Sequence, residues 1–154
     1  MSSDTRKQYV VRAAKAFDEH DVDGFVAEFT ENGTFRDPIQ EDELTREELC
    51  QYFHSVYAAF PDVGSDVHRI AVSNDGDFGI EWSMNGTHKG SFEGIPATGN
   101  RFEVSGASIG TVSEDGITFW RDYWDIREFL DQLGLTFPAV FVQLPKLAYR
   151  KLKG

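Results

Sequence analysis

The sequence predicts an α+β fold, a curved antiparallel sheet with N-terminal helices packed over its concave face. One change of pattern carries this expectation. Apolar residues recur at helical spacing as far as Phe60, and from Val67 onward the chain alternates over long segments instead. Helices followed by a run of antiparallel strands set the helices on one side of one sheet. Long, strongly twisted strands curl, and a curled sheet crossed by helices leaves a pocket. Thirteen Phe, five Tyr and three Trp, within a hydrophobic fraction of 40%, supply an aromatic interior for it.

The elements follow in order. Tyr9, Val10, Ala13, Ala14 and Phe17 make the apolar face of a first helix over 5–18, with Asp4 as its N-cap. Asp21 caps a short second helix with Val22, Phe25, Val26 and Phe29 in one stripe. Asn32-Gly33 reads as a turn before a short strand, 34–36, which Asp37-Pro38 ends because proline lacks a ladder donor. Thr45 and Glu48 form a capping box for a third helix, whose buried face is Leu49, Phe53, Val56, Tyr57 and Phe60. Strands are expected at 67–72, 79–84, 101–112 and 117–124, with turns at Asn74-Asp75-Gly76 and Glu114-Asp115-Gly116. A closing helix over 125–133 stops at Gly134.

At 154 residues the chain fits one domain. Its net charge of −11, from 26 acids and 15 bases, argues against a nucleic-acid partner, because phosphate binding needs a basic face. The basic residues near the end, Lys146, Arg150, Lys151 and Lys153, read as a solvated tail. The acidity with only six Lys fits either adaptation to high salt or ordinary solubility. No apolar stretch approaches the roughly 20 residues that span a bilayer, so no membrane partner is expected. The polar start of the chain carries no apolar signal region, which makes the cytoplasm the default location. Cys50 has no second cysteine to pair with and falls beside Leu49 as a packing thiol.

Strand alternation singles out the chemistry. Over 117–124, Trp120, Asp122 and Trp124 share one face, and Phe119, Arg121 and Tyr123 the other. Two exposed tryptophans are unusual on a surface, and an unpaired carboxylate is costly in a core. A pocket resolves both, with indoles as its walls and Asp122 at its floor with a raised pKa, ready for proton transfer. The alternative sets Asp122 on the surface beside a base. In the preceding strand Trp82 and Met84 share a parity that continues through Gly86 to His88. His88 and His54, the latter beside Phe53, are either site or structural residues, whereas His20 and His68 read as surface residues. Asp37, at a forced bend, either projects into the cavity or is a turn residue favoured by Pro38. No metal-ligand spacing, phosphate loop, dinucleotide fingerprint or Gly-x-Ser-x-Gly elbow occurs.

The segment Gly-Thr-His-Lys-Gly-Ser-Phe-Glu-Gly-Ile-Pro-Ala-Thr-Gly at 86–99 resembles the signature of the SnoaL-like polyketide cyclases, or ester cyclases. Asp115-Gly116-Ile117, Arg121-Asp122-Tyr123 and Gln132-Leu133-Gly134 follow that family's order, and Ala14-x-x-Phe17, Phe35-x-Asp37-Pro38 and Phe60-Pro61-Asp62 agree more loosely. The resemblance covers about 5–135 and leaves 136–154 as an extension, where Phe137, Val140, Phe141, Leu144 and Leu147 would cover a pocket mouth or pad a dimer contact. It implies a cone of the nuclear transport factor 2-like (cystatin-like) superfamily, dimeric and without cofactor. It also implies ring closure by intramolecular aldol condensation, with Asp122 as acid/base and His88 and Asp37 at the signature and pocket positions. Ser108 stands where the family's characterised cyclases carry a pocket histidine.

Three functions compete on this reading. The first is cofactor-free acid/base chemistry on a small apolar carbonyl compound, with Asp122 removing a proton and His88 or a water stabilising the enolate. Trp82, Trp120, Trp124, Ser108, Phe17, His54 and Met84 would then line the site. The second is a shuttle that uses Asp37, whose Asp-Pro context is similar to the base of ketosteroid isomerases, although Phe17 sits where a tyrosine donor is wanted. The third is a non-catalytic binder using the same pocket. A homodimer is expected through Ile109, Thr111, Phe119 and Tyr123, which alternate away from the pocket.

Overall fold

Helix caps and glycines divide the chain into its elements. The computed structural model describes residues 2–136 and 139–154. Helix α1 (Ser3–Asp18) begins two residues earlier than Asp4 would start it, because Ser2 Oγ accepts from the Thr5 amide at 3.3 Å. Asp4 instead lies in the first turn, where its charge complements the helix dipole. Asp21 caps α2 (Val22–Ala27) through the Gly24 amide. Strand β1 (Phe29–Arg36) follows, then α3 (Arg46–Ala59) with both capping-box bonds between Thr45 and Glu48 formed. Strands β2 (Gly64–Val72), β3 (Asp77–Thr87), β4 (Arg101–Ser113) and β5 (Gly116–Trp124) form an antiparallel meander. Helix α4 (Ile126–Gln132), capped by Asp125, and α5 (Ala139–Lys153) complete the fold.

Asn32-Gly33 is not a turn. β1 runs through it, and its register against β5 breaks between Phe29 and Thr34. A Cβ on Gly33 would stand 2.7 Å from the Ile117 carbonyl oxygen, so the strand passes there only as glycine.

The sheet order is β1-β5-β4-β3-β2. β1 lies parallel to β5, with Phe35 opposite Trp120 and Arg36 opposite Arg121. This late joining of an early strand positions the site described below. The sheet curves without closing, and Val10, Ala13, Phe25 and Phe53 from the helices pack on Phe78, Ile80, Trp82 and Trp120 from the strands. Edge-on ring contacts, such as Phe25 to Phe53 at 4.8 Å and Phe25 to Trp120 at 5.3 Å, build this core.

The sequence reading assigned no helix to the extension, yet α5 forms there and lies along the loop before β4, where Arg150 donates to the Ala97 carbonyl. Leu147 is buried while Leu144 is exposed. Among the described residues no α5 side chain lines the pocket, and Phe137 and the side chain of Phe141 lie outside the described residues. His20 is not a free surface residue. It ends α1 in the left-handed region at φ 57°, donates from Nε2 to the Val63 carbonyl at 2.6 Å and stacks on Tyr57 at 4.2 Å. Among the described residues no helix is long and apolar enough to cross a membrane.

Candidate active site

Between the helices and the concave face of the sheet the fold encloses a cavity of about 100 Å³. Its walls are apolar and mostly aromatic, with Phe17, Phe25, Phe53, Met84 and Phe102 among them. Its polar side chains converge on two carboxyl groups.

The first is Asp122. Alternation along β5 turns Trp120, Asp122 and Trp124 inward and Arg121 and Tyr123 outward, where the guanidinium lies over the phenol ring at 4.8 Å. The register of β4 against β5 sets Ser108 opposite Asp122, and that of β3 against β4 sets Trp82 opposite Gly106. A Cβ on Gly106 would meet the Trp82 ring at 2.7 Å, so the indole can lie over that position. Trp82 Nε1 donates to Ser108 Oγ at 2.8 Å, and Ser108 Oγ donates onward to Asp122 Oδ1 at 2.6 Å. Trp120 Nε1 donates to the same oxygen at 2.7 Å.

The second is Asp37. It follows Arg36, the last register partner of β5, and so falls beside Asp122. The carboxyl is buried, with Oδ1 accepting from the Ile39 amide at 2.9 Å and Oδ2 from Trp124 Nε1 at 3.1 Å. Tyr52 and Asp122 line the same cavity as Asp37, near enough for each of the three groups to bear on the titration of the others. Thus each of the chain's three indole N–H groups is spent, directly or through Ser108, on this pair.

Two carboxyls this close in an apolar chamber cannot both ionise cheaply. Burial raises the pKa of Asp37, while its donors, led by the Ile39 amide and Trp124, pull it back. Burial, followed by the negative charge of Asp37, pushes Asp122 up to about 8, against the opposing bonds from Ser108 and Trp120. Asp122 as a whole is only partly buried, but its carboxyl is what the pocket encloses, so desolvation dominates. Both carboxyls are thus raised, Asp122 to about 8, which favours one proton shared by the pair. Asp122 Oδ1 accepts from both Ser108 and Trp120, so Oδ2 is the oxygen open to the cavity for proton transfer. Burial, then the nearby carboxylates, holds the Tyr52 phenol well above 10, so it stays a neutral donor.

Two expected site residues lie elsewhere. His88 is buried on the inward side, but β3 ends at Thr87 and the imidazole belongs to the following loop. Its Nδ1 accepts from the Thr98 amide at 3.2 Å, its ring stacks on Phe60 at 5.2 Å, and Phe60 rather than His88 lines the cavity. Burial lowers its pKa, so it is a neutral residue that braces the 88–99 loop. Strand parity gives a face, not a depth, which is why the alternation pointed to it. His54 is exposed and does not line this cavity, because one residue of helix rotates it about 100° from the inward Phe53. Phe17, Met84, Trp82, Trp120, Trp124 and Ser108 do line the cavity. Tyr52 was missed, although Leu49, Tyr52, Phe53 and Val56 have the i, i+3, i+4, i+7 spacing that would have found it.

A cone-shaped α+β fold around an aromatic pocket with inward carboxyls is the architecture of nuclear transport factor 2-like proteins. Within that class the chain belongs to the SnoaL-like polyketide cyclase family, whose sequence model matches residues 8–133. Three similar solved structures share the fold. AclR of Streptomyces galilaeus, proposed as a hydroxylase, is 20% identical with a TM-score of 0.75 over 88% of this chain and 99% of its own. IdmH of Streptomyces antibioticus, proposed as a polyketide cyclase, is 22% identical with a TM-score of 0.71 over 84% and 98%. A Catenulispora acidiphila protein of ketosteroid isomerase-like fold, in complex with trimethylamine, is 22% identical with a TM-score of 0.69 over 86% and 95%. No curated protein matches the chain in sequence.

Proposed function

We propose that the chain is an acid/base catalyst of the cyclase or isomerase type, acting on a small, largely apolar carbonyl or ester compound. The observation that carries this is the Asp37–Asp122 pair, one acid and one base in a chamber otherwise walled by aromatic rings. The sequence alone suggests Asp122 as the base with His88 or a water as its helper; in this proposal Asp37 is the base and Asp122 the donor.

The chemistry balances on one proton. Asp37 takes the proton next to the substrate carbonyl while Asp122 gives its own to the carbonyl oxygen, forming a neutral enol. In a ring closure the enol carbon attacks a second carbonyl of the same molecule. The enol O–H returns its proton to Asp122, and Asp37 gives its proton to the new alkoxide. The pair ends as it began. Isomerisation uses the same first step with return of the proton to another carbon. Positioning by the aromatic walls supplies the part of the rate that proton transfer does not.

A second reading, a non-catalytic binder of small amines, is favoured by one observation. The Catenulispora acidiphila relative is in complex with trimethylamine, and indole walls around one carboxylate suit a small cation. Hydrogen–deuterium exchange of the acidic C–H protons in a panel of β-keto esters, followed by NMR, separates the two. Catalysed exchange that Asp37→Asn and Asp122→Asn each abolish supports the enzyme. No exchange, together with saturable trimethylammonium binding, supports the binder.

The working unit is proposed as a homodimer formed through the outer sheet face, where Ile109 and Tyr123 are 47% and 45% exposed beside Thr111 and Phe119. The cytoplasm is its proposed location.

A further inference from the structure

The pocket has a neighbour. A more open groove between α1 and β2 shares Ala14, Ser65 and Val67 with it, so the two spaces adjoin. β2 is the edge strand of the sheet, and its register breaks between Val67 and Arg69. Val67 lines the inner cavity and is nevertheless 39% exposed. A side chain that meets both the cavity and solvent is where the wall between them is thinnest. On α1, Ala14 lines both spaces with a single methyl group. The rim is held by Asp18 at the end of α1, whose Oδ1 accepts from the Ser65 amide at 2.7 Å and Ser65 Oγ at 2.8 Å.

The charged side chains of this groove are Lys15, Asp18, Glu19 and Asp66. Lys15 lies 3.7 Å from Glu19 and offsets it. Asp18 and Asp66 remain, so the groove carries net negative charge in front of a chamber that already holds the Asp37 carboxylate.

We propose that the α1–β2 groove is the entrance to the carboxyl-lined pocket, and that it admits neutral and cationic ligands while turning anionic ones away. An anion entering here meets like charge at the mouth, where water still screens it, and again inside, where little water does. Free carboxylates and phosphate-bearing carriers are thereby disfavoured, and uncharged esters, ketones and small amines pass. The proposal rests on the pocket being a ligand site, as argued above, but its test reads access alone and needs no turnover.

All three tryptophans of the chain line the pocket, so intrinsic fluorescence reports on it without a label. Acrylamide serves as the neutral quencher, N-methylpyridinium as the cation and iodide as the anion. With the fold checked by circular dichroism, Val67→Phe is expected to lower acrylamide quenching severalfold by plugging the mouth. Ala14→Leu, on the facing helix, plugs the same opening should Val67→Phe fail to fold. Asp66→Lys is expected to lower the ratio of N-methylpyridinium to iodide quenching by about two- to threefold in low salt and by less in high salt. Acrylamide quenching equal in the plugged and wild-type proteins overturns the route, and an ion ratio that ignores Asp66→Lys overturns the selectivity. Lack of C–H exchange activity, by contrast, counts only against the catalytic reading.

Discussion

Ser108 and Asp122 are register partners across β4 and β5, and the serine Oγ donates to Asp122 Oδ1 at 2.6 Å while accepting from Trp82 Nε1 at 2.8 Å. A serine is no proton-transfer group near neutral pH, but it relays an indole dipole onto the acid. Ser108→Ala should leave a buried Trp82 N–H without an acceptor and destabilise the fold by about 1–3 kcal/mol, read as a lower Tm. Because the lost bond favours the ionised carboxyl, the alkaline limb of the pH–rate profile should also move upward. An unmoved limb would show that Ser108 acts only in packing.

Asp122→Asn keeps shape and hydrogen bonding while removing the transferable proton. Turnover should fall by about two to four orders of magnitude, the usual share of one acid/base group. Ligand affinity should change little, since the aromatic walls supply most of the contact. A Tm far below wild type with undiminished exchange would make Asp122 a structural residue.

Stability should depend on pH with a definite sign. Asp122 has its folded-state pKa raised from 3.8 to about 8, so the folded chain holds a proton that the unfolded chain has released. This contribution is fully present below the unfolded value and is lost as pH rises toward 8. Tm should therefore decline across that interval, and the decline should be shallower in Asp122→Asn. Thermal melts at several pH values check it, and identical slopes in the two proteins would contradict the assignment.

Asp37→Asn removes the charge that helps hold Asp122 protonated. The Asp122 carboxyl, followed by carbon-13 NMR, should then titrate below its wild-type value of about 8, with the remaining elevation due to burial. A midpoint that stays put would mean that the two groups do not act as a pair.

Light scattering at micromolar concentration should give twice the chain mass of 17.4 kDa. Tyr123→Lys, which puts charge on the exposed apolar outer face, should return the monomer. A wild-type monomer would refute the dimer.

Much of this was legible locally. The Thr45–Glu48 box, the Asp21 and Asp125 starts and the strand turns depend on neighbours a few residues apart, and they form where the residue types predict. The inward face of Trp120, Asp122 and Trp124 is a consequence of two-residue alternation alone. The errors have separate local causes. His88 was misjudged because alternation carries no information about depth, His54 because a helical neighbour was taken for a facing residue, and Asn32-Gly33 because a turn dipeptide also suits a bulge.

The sequence by itself determined most of the helices and strands as far as Gly134, which family the chain resembles, and that an acid flanked by indoles faces inward from β5. What it left open was which group that acid would meet. Asp37 reaches Asp122 only because β1 joins the sheet parallel to β5, beyond the meander that consecutive strands build. Nothing in local spacing announces such a pairing, since its stabilisation comes from long-range contacts that close only when the whole sheet has formed. The protonation of the pair was decided at the same moment. A carboxyl's pKa is set by burial and by its nearest charge, and both exist only in the folded chamber.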